Sequence, residues 1–303
     1  MRVVSLLPSA TEIVYALGVE PVATSHECDH PPEAADLPSV VDSRVDADAD
    51  SADIDAQVTD AESSGGVYEI DREALAEADP DLVVSQGICE VCAVDTVVVE
   101  EAIADLGLDC ELLTTDPHSV DDILEDIRRI GAALDREDRA EDLVADLQAR
   151  IDRVADRAAE APFRPEVAVL DWLDPAMVAG HWVPELVDLA GGEYGLADPG
   201  DASTPREWAE IQEYDPDILV AAPCGFELEQ TFENLGDLTD RDGWTQLRAV
   251  RMNRAYAMDG HHLVNRPGPR VVDTLEALAG LIHPDEFDRP EEWAARSLAT
   301  SPA

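Results

Sequence analysis

The chain has no lysine. Its 20 basic residues are all arginine and stand against 68 aspartates and glutamates, a formal net charge of −48 over 303 residues. Without lysine there is no P-loop lysine, no Schiff-base nucleophile and no pyridoxal-phosphate chemistry. A surface this acidic repels nucleic acid and anionic membranes, so neither is expected as a partner. The charge itself reads as adaptation to a high-salt cytoplasm, where screening over a few ångströms removes self-repulsion. No apolar run is long enough to span a bilayer, so no membrane insertion is expected. A secretory signal is not expected either, because Arg2 is soon followed by Pro8, Ser9 and Glu12. The location that follows is cytoplasmic. Cysteine is sparse, and its odd count of 5 points to reduced thiols rather than a disulfide framework.

What the chain does have is an internal echo. Asp79-Pro80-Asp81-Leu82-Val83-Val84 returns as Asp215-Pro216-Asp217-Ile218-Leu219-Val220. Helix-like runs precede both copies (Arg72 to Ala78, Arg206 to Tyr214), and cysteine-bearing loops follow (Gly87-Ile88-Cys89, Pro223-Cys224-Gly225). The pattern predicts two α/β lobes with parallel sheets and a cleft between them. Open α/β sheets bind ligands at the carboxyl ends of their strands, which is where these loops fall.

Residues 2 to 7 read as the first strand, with Ser9 and Glu12 as a capping box opening a helix that ends before Gly18. Asp42 to Gly66 reads as an acidic surface insertion holding a short helix, Ala52 to Ala61. Val120, Ile123, Leu124, Ile127, Ile130 and Leu134 keep helical spacing, as do Leu143, Val144, Leu147, Ile151 and Val154 after a polar break. The second run, roughly 33 Å long at 1.5 Å per residue, would be a stiff spine allowing only small closure. The expected division is 1–118 for the first lobe, 119–164 for the helical spine, 165–284 for the second lobe and 285–303 for a tail. Cys110, in the strand-like Leu108 to Leu113, is expected in the core.

Two constellations carry metal-binding residue types. His26-Glu27-Cys28-Asp29-His30 matches the H-E-x-x-H of zinc proteases, but that chemistry needs both histidines on one helix face. Pro31 and Pro32 bias the segment away from a helix. An extended segment would instead put His26, Cys28 and His30 on one side, and a polar loop with a half-buried cysteine is equally compatible. Cys89-Glu90-Val91-Cys92 could line the cleft, bind metal or exchange disulfides, in that order of preference.

The phrases "RVVSLLPSATEIVYALGVEPVATSHECDHPP", "ADPDLVVSQG", "AGHWVPELVDLAGG" and "NRPGPRVVDTLEALAG", with the mid-chain helix, resemble the cobalamin-type substrate-binding proteins of ABC importers. These are class III periplasmic binding proteins, with lobes joined by a helical backbone. The resemblance covers residues 1 to about 283, and "SHECD", "CEVCAV", "PCGF" and "NRPGPR" are similar to a cobalamin-binding branch. It implies a non-enzymatic protein holding a corrinoid or related metal chelate flat between two Rossmann-like lobes, with no required cofactor. It also implies an ABC permease as a partner, docked through an acidic residue on each lobe tip, although in the first lobe that residue aligns near Asp95 to Val97, where no glutamate stands.

On that reading Trp172, Trp182 and Phe226 offer faces to a macrocycle, and His181, His261 and His262 offer hydrogen bonds or an axial ligand. Arg266 would bind an anionic side chain. Cys224, with Ser9 and Gln86 inside the quoted phrases, completes the ligand-contact set alongside His26, Cys28, His30, Cys89 and Cys92. The alternative is a cytosolic metalloprotein holding zinc or iron, or a metal-dependent enzyme, using His26, Cys28, His30, Cys89 and Cys92.

Overall fold

The computed structural model describes residues 1–47, 49–63, 66–88 and 94–298. In the first half, β1 (Val3–Ser5), α1 (Pro8–Ala16), β2 (Val41–Ser43), α2 (Ser51–Ser63), β3 (Tyr68–Ile70), α3 (Arg72–Ala78), β4 (Leu82–Gln86), α4 (Thr96–Leu106) and β5 (Glu111–Thr115) follow one another. Helices α5 (Val120–Ala133) and α6 (Glu137–Ala158) cross to the second half. There the order is β6 (Val167–Trp172), β7 (Met177–Val178), α7 (Val183–Leu189), β8 (Thr204–Pro205), α8 (Trp208–Tyr214), β9 (Ile218–Ala221), α9 (Leu228–Glu233), α10 (Gly236–Thr239), α11 (Arg248–Arg251), β10 (Ala255–Met258), α12 (Val271–Ile282) and β11 (Ala295–Ser297).

The first sheet has the order β1-β4-β5, all parallel, and the second runs β11-β10-β9-β6-β7-β8 with β6, β9 and β10 parallel. The central strands, β4 and β9, are the two echoed phrases. The echo extends to single hydrogen bonds. Asp79 and Asp215 both take the left-handed conformation, at φ 42° and 44°, as they end α3 and α8. Two residues on, Asp81 accepts from Arg2 N at 2.6 Å, and Asp217 accepts from Glu166 N at 3.0 Å. Each phrase thus ends a helix, turns on its proline and pins the start of the neighbouring parallel strand.

A single apolar core joins the halves. It takes Val3, Leu82 and Val84 from the first sheet, Ile123, Ile127 and Ile130 from α5, Val144, Leu147 and Ile151 from α6, and Val169, Val220 and Leu275 from the second half. Gly131 lets α5 and α6 meet, since a Cβ there would lie 2.4 Å from that of Ala140. The apolar face of the spine is therefore buried in this shared core, and bending it would expose that face.

Three local expectations differ. The N-cap of α1 is Leu7 with no side-chain cap, and Pro8 takes the first turn, so Ser9 and Glu12 form no capping box. Their side chains are buried for interlobe contact instead. The tail, set apart from the second lobe in the expected division, contributes β11 to the second sheet, antiparallel to β10. Cys110 is only partly buried, packed on the outer face of the first-lobe core.

Candidate functional site

The carboxyl ends of both sheets face each other, and the candidates divide into an aromatic wall and a charged bridge. The wall comes from the second lobe. Trp172 ends β6 and packs edge-on against Phe226, which follows β9, with ring centroids 5.2 Å apart. His181, at φ 52°, lies 5.6 Å from the His118 ring, which follows β5 of the opposite lobe. Among the described residues, the His181 Nδ1 and Trp172 Nε1 atoms are buried without a hydrogen-bond partner. Burial, with the nearby His118 charge, lowers the His181 pKa and favours the neutral ring. Its unpartnered nitrogen can therefore donate or accept according to tautomer.

Beneath the wall, burial pushes the Asp171 carboxyl up to about 6 although Ser203 donates to it. Trp182 sits under the wall rather than on it: it is buried, and its Nε1 donates to the Val264 carbonyl at 3.1 Å. Phe226 is likewise buried, so its edge against Trp172 is structural support. Cys224 lies at the same edge, its amide donating to the Asp171 carbonyl at 2.9 Å.

The charged bridge crosses the cleft. Glu12 on α1 and Asp29 in the loop after Ser25 belong to the first lobe; His261, His262, Arg266 and Arg270 belong to the second. Arg266 donates to Asp29 at 2.6 Å and to Glu12 at 3.0 Å, and Arg270 donates to Glu12 at 2.6 Å and 3.0 Å. The other Asp29 oxygen lies 3.0 Å from His261 Nε2 and 2.9 Å from His262 Nε2. Asp259 in turn accepts from the His262 backbone N at 2.6 Å and from its Nδ1 at 3.1 Å.

Burial alone would raise the Asp29 pKa, but bonds from His261, His262 and Arg266 hold its carboxyl well below the usual range. Asp259 and then Asp29 push His262 up to about 9, so its ring carries a proton at neutral pH. Buried charges are tolerated only when paired, and here carboxylate, guanidinium and imidazolium alternate. Arg266 therefore does not present itself to a ligand: it is 3% exposed and fully engaged in holding the lobes together.

The His26 to His30 segment is neither the helix of a zinc protease nor the extended strand considered for it. It turns at His26 and Glu27, which scatters its side chains. His26 bonds the Val41 carbonyl at 2.8 Å, and Glu27, 3.4 Å from its Nε2, raises its pKa. His30 is exposed. Cys28 points inward to Thr11 Oγ1 at 3.0 Å, and burial pushes its thiol up to about 11, the state of an inert core thiol.

Ser9 is buried at the interlobe seam, where a Cβ on Gly268 would meet its backbone oxygen at 3.3 Å. Gln86 is buried at the end of β4. Cys89 and Cys92 lie outside the described residues. Of the sequence candidates, Trp172, His181 and Cys224 gather on the second-lobe edge, and His261 and His262 meet in the bridge. Glu12, Asp29, Asp259, Arg270 and His118 were not among the candidates. A glutamate inside the apolar stretch of α1 was the available signal, since a charge there requires a buried partner.

The sequence profile described as Periplasmic binding protein matches residues 3–261. An ABC transporter substrate-binding lipoprotein of Bacillus subtilis, YvrC, is 25% identical over 293 residues, covering 94% of this chain and 81% of that protein. The vitamin B12-binding protein of Vibrio cholerae is also 25% identical, over 91% of this chain and 86% of its own length. Among solved structures, a periplasmic heme-binding protein from Pseudomonas aeruginosa superposes with a TM-score of 0.75 at 22% identity, covering 99% of both chains. The periplasmic vitamin B12-binding protein BtuF of Vibrio cholerae gives 0.67 at 20% identity, covering 93% and 96%. These relatives overturn the cytoplasmic location expected from the N-terminal residues: they are a lipoprotein and periplasmic binding proteins, which work outside the cytoplasm.

Proposed function

This chain belongs to the periplasmic binding protein family, and we propose that it is the ligand-capturing component of an ABC importer, binding a corrinoid or related planar metal chelate between its lobes. The observation that carries the reading is the second-lobe wall, where Trp172 offers an aromatic face and His181 a neutral imidazole whose Nδ1 has no hydrogen-bond partner among the described residues. A macrocycle buries its face on the first and finds a polar or axial partner in the second. Similarity to a vitamin B12-binding protein supports a corrinoid, and similarity in fold to heme-binding proteins keeps the ligand class at planar metal chelates. Delivery to a permease is part of this reading. So is work in concentrated salt, which suits a charge of −48. The absence of lysine and the burial of the Cys28 thiol fit binding rather than covalent catalysis.

The first-lobe recess lined by Leu6, Pro8, Ser25, Glu27, Val41, Tyr68 and Val94 measures about 20 Å³. That is room for a water molecule, not a macrocycle, so the chelate is not held inside the first lobe. Titration of the purified protein with cobalamin, cobinamide and heme, followed by visible absorbance and calorimetry, tests the proposal. One of them should bind with 1:1 stoichiometry, and Trp172→Ala should weaken it at least about tenfold, consistent with loss of a large aromatic contact. Saturation by none of the three overturns the reading.

A further inference from the structure

We propose that Asp29, His261 and His262 form a binding site for a single divalent transition cation, of the zinc type, that ties the two lobes together. The proposal goes beyond the chelate reading and needs only the bare ion. One ligand atom from each residue lies within 4.8 Å of the other two. Asp29 Oδ2 stands 3.0 Å and 2.9 Å from the two imidazole Nε2 atoms. A tetrahedral ion with bonds of about 2.0–2.1 Å separates its ligand atoms by about 3.3–3.4 Å. Asp29 Oδ2 therefore needs to move only a few tenths of an ångström from each imidazole nitrogen to admit one, and the two nitrogens already lie within 4.8 Å of each other.

The backbone makes this convergence possible. Neighbouring residues in a strand point to opposite faces, which would send His261 and His262 apart. Here Gly260–Val264 form a π-helical turn immediately after β10, and the two rings stand at 89° with centroids 4.6 Å apart. Gly260 is required for that turn, because a Cβ would lie 2.0 Å from the Pro223 carbonyl oxygen.

The groups around the donors are those that orient metal ligands. The second nitrogen of His262 is held by the buried Asp259 carboxylate at 3.1 Å, an arrangement that fixes the ring and raises its basicity. Arg266 holds the second oxygen of Asp29 at 2.6 Å, leaving Oδ2 as a monodentate donor. Two imidazoles with one carboxylate favour zinc, cobalt, nickel or copper over magnesium and calcium. With both rings neutral, the carboxylates of Glu12, Asp29 and Asp259 outweigh the guanidiniums of Arg266 and Arg270 by one charge, so a cation is favoured.

Two groups compete with it. Arg266 NH2 lies 2.8 Å from His261 Nε2 and must turn aside, and the proton shared by His262 with its carboxylates must leave. The fourth position stays open to water or to a donor atom of a bound molecule. Because Asp29 comes from the first lobe and both histidines from the second, an ion here favours the closed arrangement.

The test uses the whole protein, stripped with a chelator and titrated with Co²⁺ and Zn²⁺ in molar KCl, which keeps ions off the acidic surface. We expect one saturable Co²⁺ per chain, with visible d–d bands and paramagnetically shifted imidazole proton signals, and displacement by Zn²⁺. His262→Gln and Asp29→Asn should each weaken uptake at least about tenfold, and Asp259→Asn about 10–100-fold through ligand orientation. Should a variant fail to fold, the cobalt spectrum of the unaltered protein decides by itself. No saturable uptake, or a bound Co²⁺ without shifted imidazole signals, overturns the proposal, as does uptake unchanged in both His262→Gln and Asp29→Asn. None of these outcomes depends on whether a corrinoid or heme binds.

Discussion

His262 shows how a single residue acquires its charge from tertiary contacts. Isolated, its imidazole would titrate near 6.5; between Asp259 and Asp29, with Arg266 and His261 alongside, it is raised to about 9. A group whose folded-state pKa is raised contributes stability that is fully present below its unfolded value and is lost as pH rises through the folded one. The interlobe contact should therefore be strongest below about pH 6.5 and fade toward about pH 9. Thermal midpoints measured across that range should decline in the unaltered protein and decline less in His262→Gln. Identical slopes would show that the contact does not govern stability. From the sequence, His261 and His262 were recognisable as candidates. That Arg266 is consumed as their structural partner was not, because Glu12 and Asp29 stand more than two hundred residues away from it along the chain.

Among the elements, α2 gives the acidic insertion a physical role. Read from composition alone, it was a surface helix in a polar stretch. Its first residue is instead fully buried against the other lobe: Ser51 N donates to Asn234 at 3.1 Å and its hydroxyl to Asp237, while Gln230 donates to the Ala47 carbonyl at 2.6 Å. This is a second interlobe tie, built from neutral donors where the first uses charges. Asn234→Ala removes the bond it accepts from α2, worth about 0.5–1.5 kcal/mol, along with the one it donates to the Gln230 carbonyl in its own lobe. Amide hydrogen exchange in residues 51–63 should accelerate roughly 2–10-fold, by conversion of that energy to an opening equilibrium. Unchanged protection would mean that α2 is held by its apolar contacts alone. The Asp-Pro-Asp elements behave differently: Asp79, Asp81, Asp215 and Asp217 act within their own lobes, on short-range geometry that the sequence spells out twice.

At the scale of the whole molecule, charge and connectivity set the behaviour. Most ion pairs away from the bridge are solvent-exposed and individually worth little, whereas a net charge of −48 repels itself throughout. The screening length falls from about 10 Å at 0.1 M salt to about 3 Å at 1 M. The thermal midpoint should therefore rise between 0.1 M and multimolar KCl. An equal or higher midpoint at low salt would show that the fold does not feel its own charge. Since one apolar core runs through α5 and α6 into both sheets, the melt should be a single cooperative transition at either salt concentration.

The sequence by itself determined what depends on local periodicity and local turn chemistry. The strand phrases, the helical spine, the two-lobed parallel architecture and the family are all written in patterns a few residues long, repeated or spaced at 2 or 3.6 residues. The tertiary structure alone decided what depends on which side chains meet. It turned the His26 to His30 segment so that Cys28 faces Thr11 and Asp29 crosses the cleft. It sank Trp182 and Phe226 beneath the wall while leaving His181 Nδ1 without a hydrogen-bond partner among the described residues. It also folded His261 and His262 onto one carboxylate through a π-helical turn. Residue types announce what a side chain is able to do, but its burial, protonation and partners come from atoms brought close by the packing of distant segments.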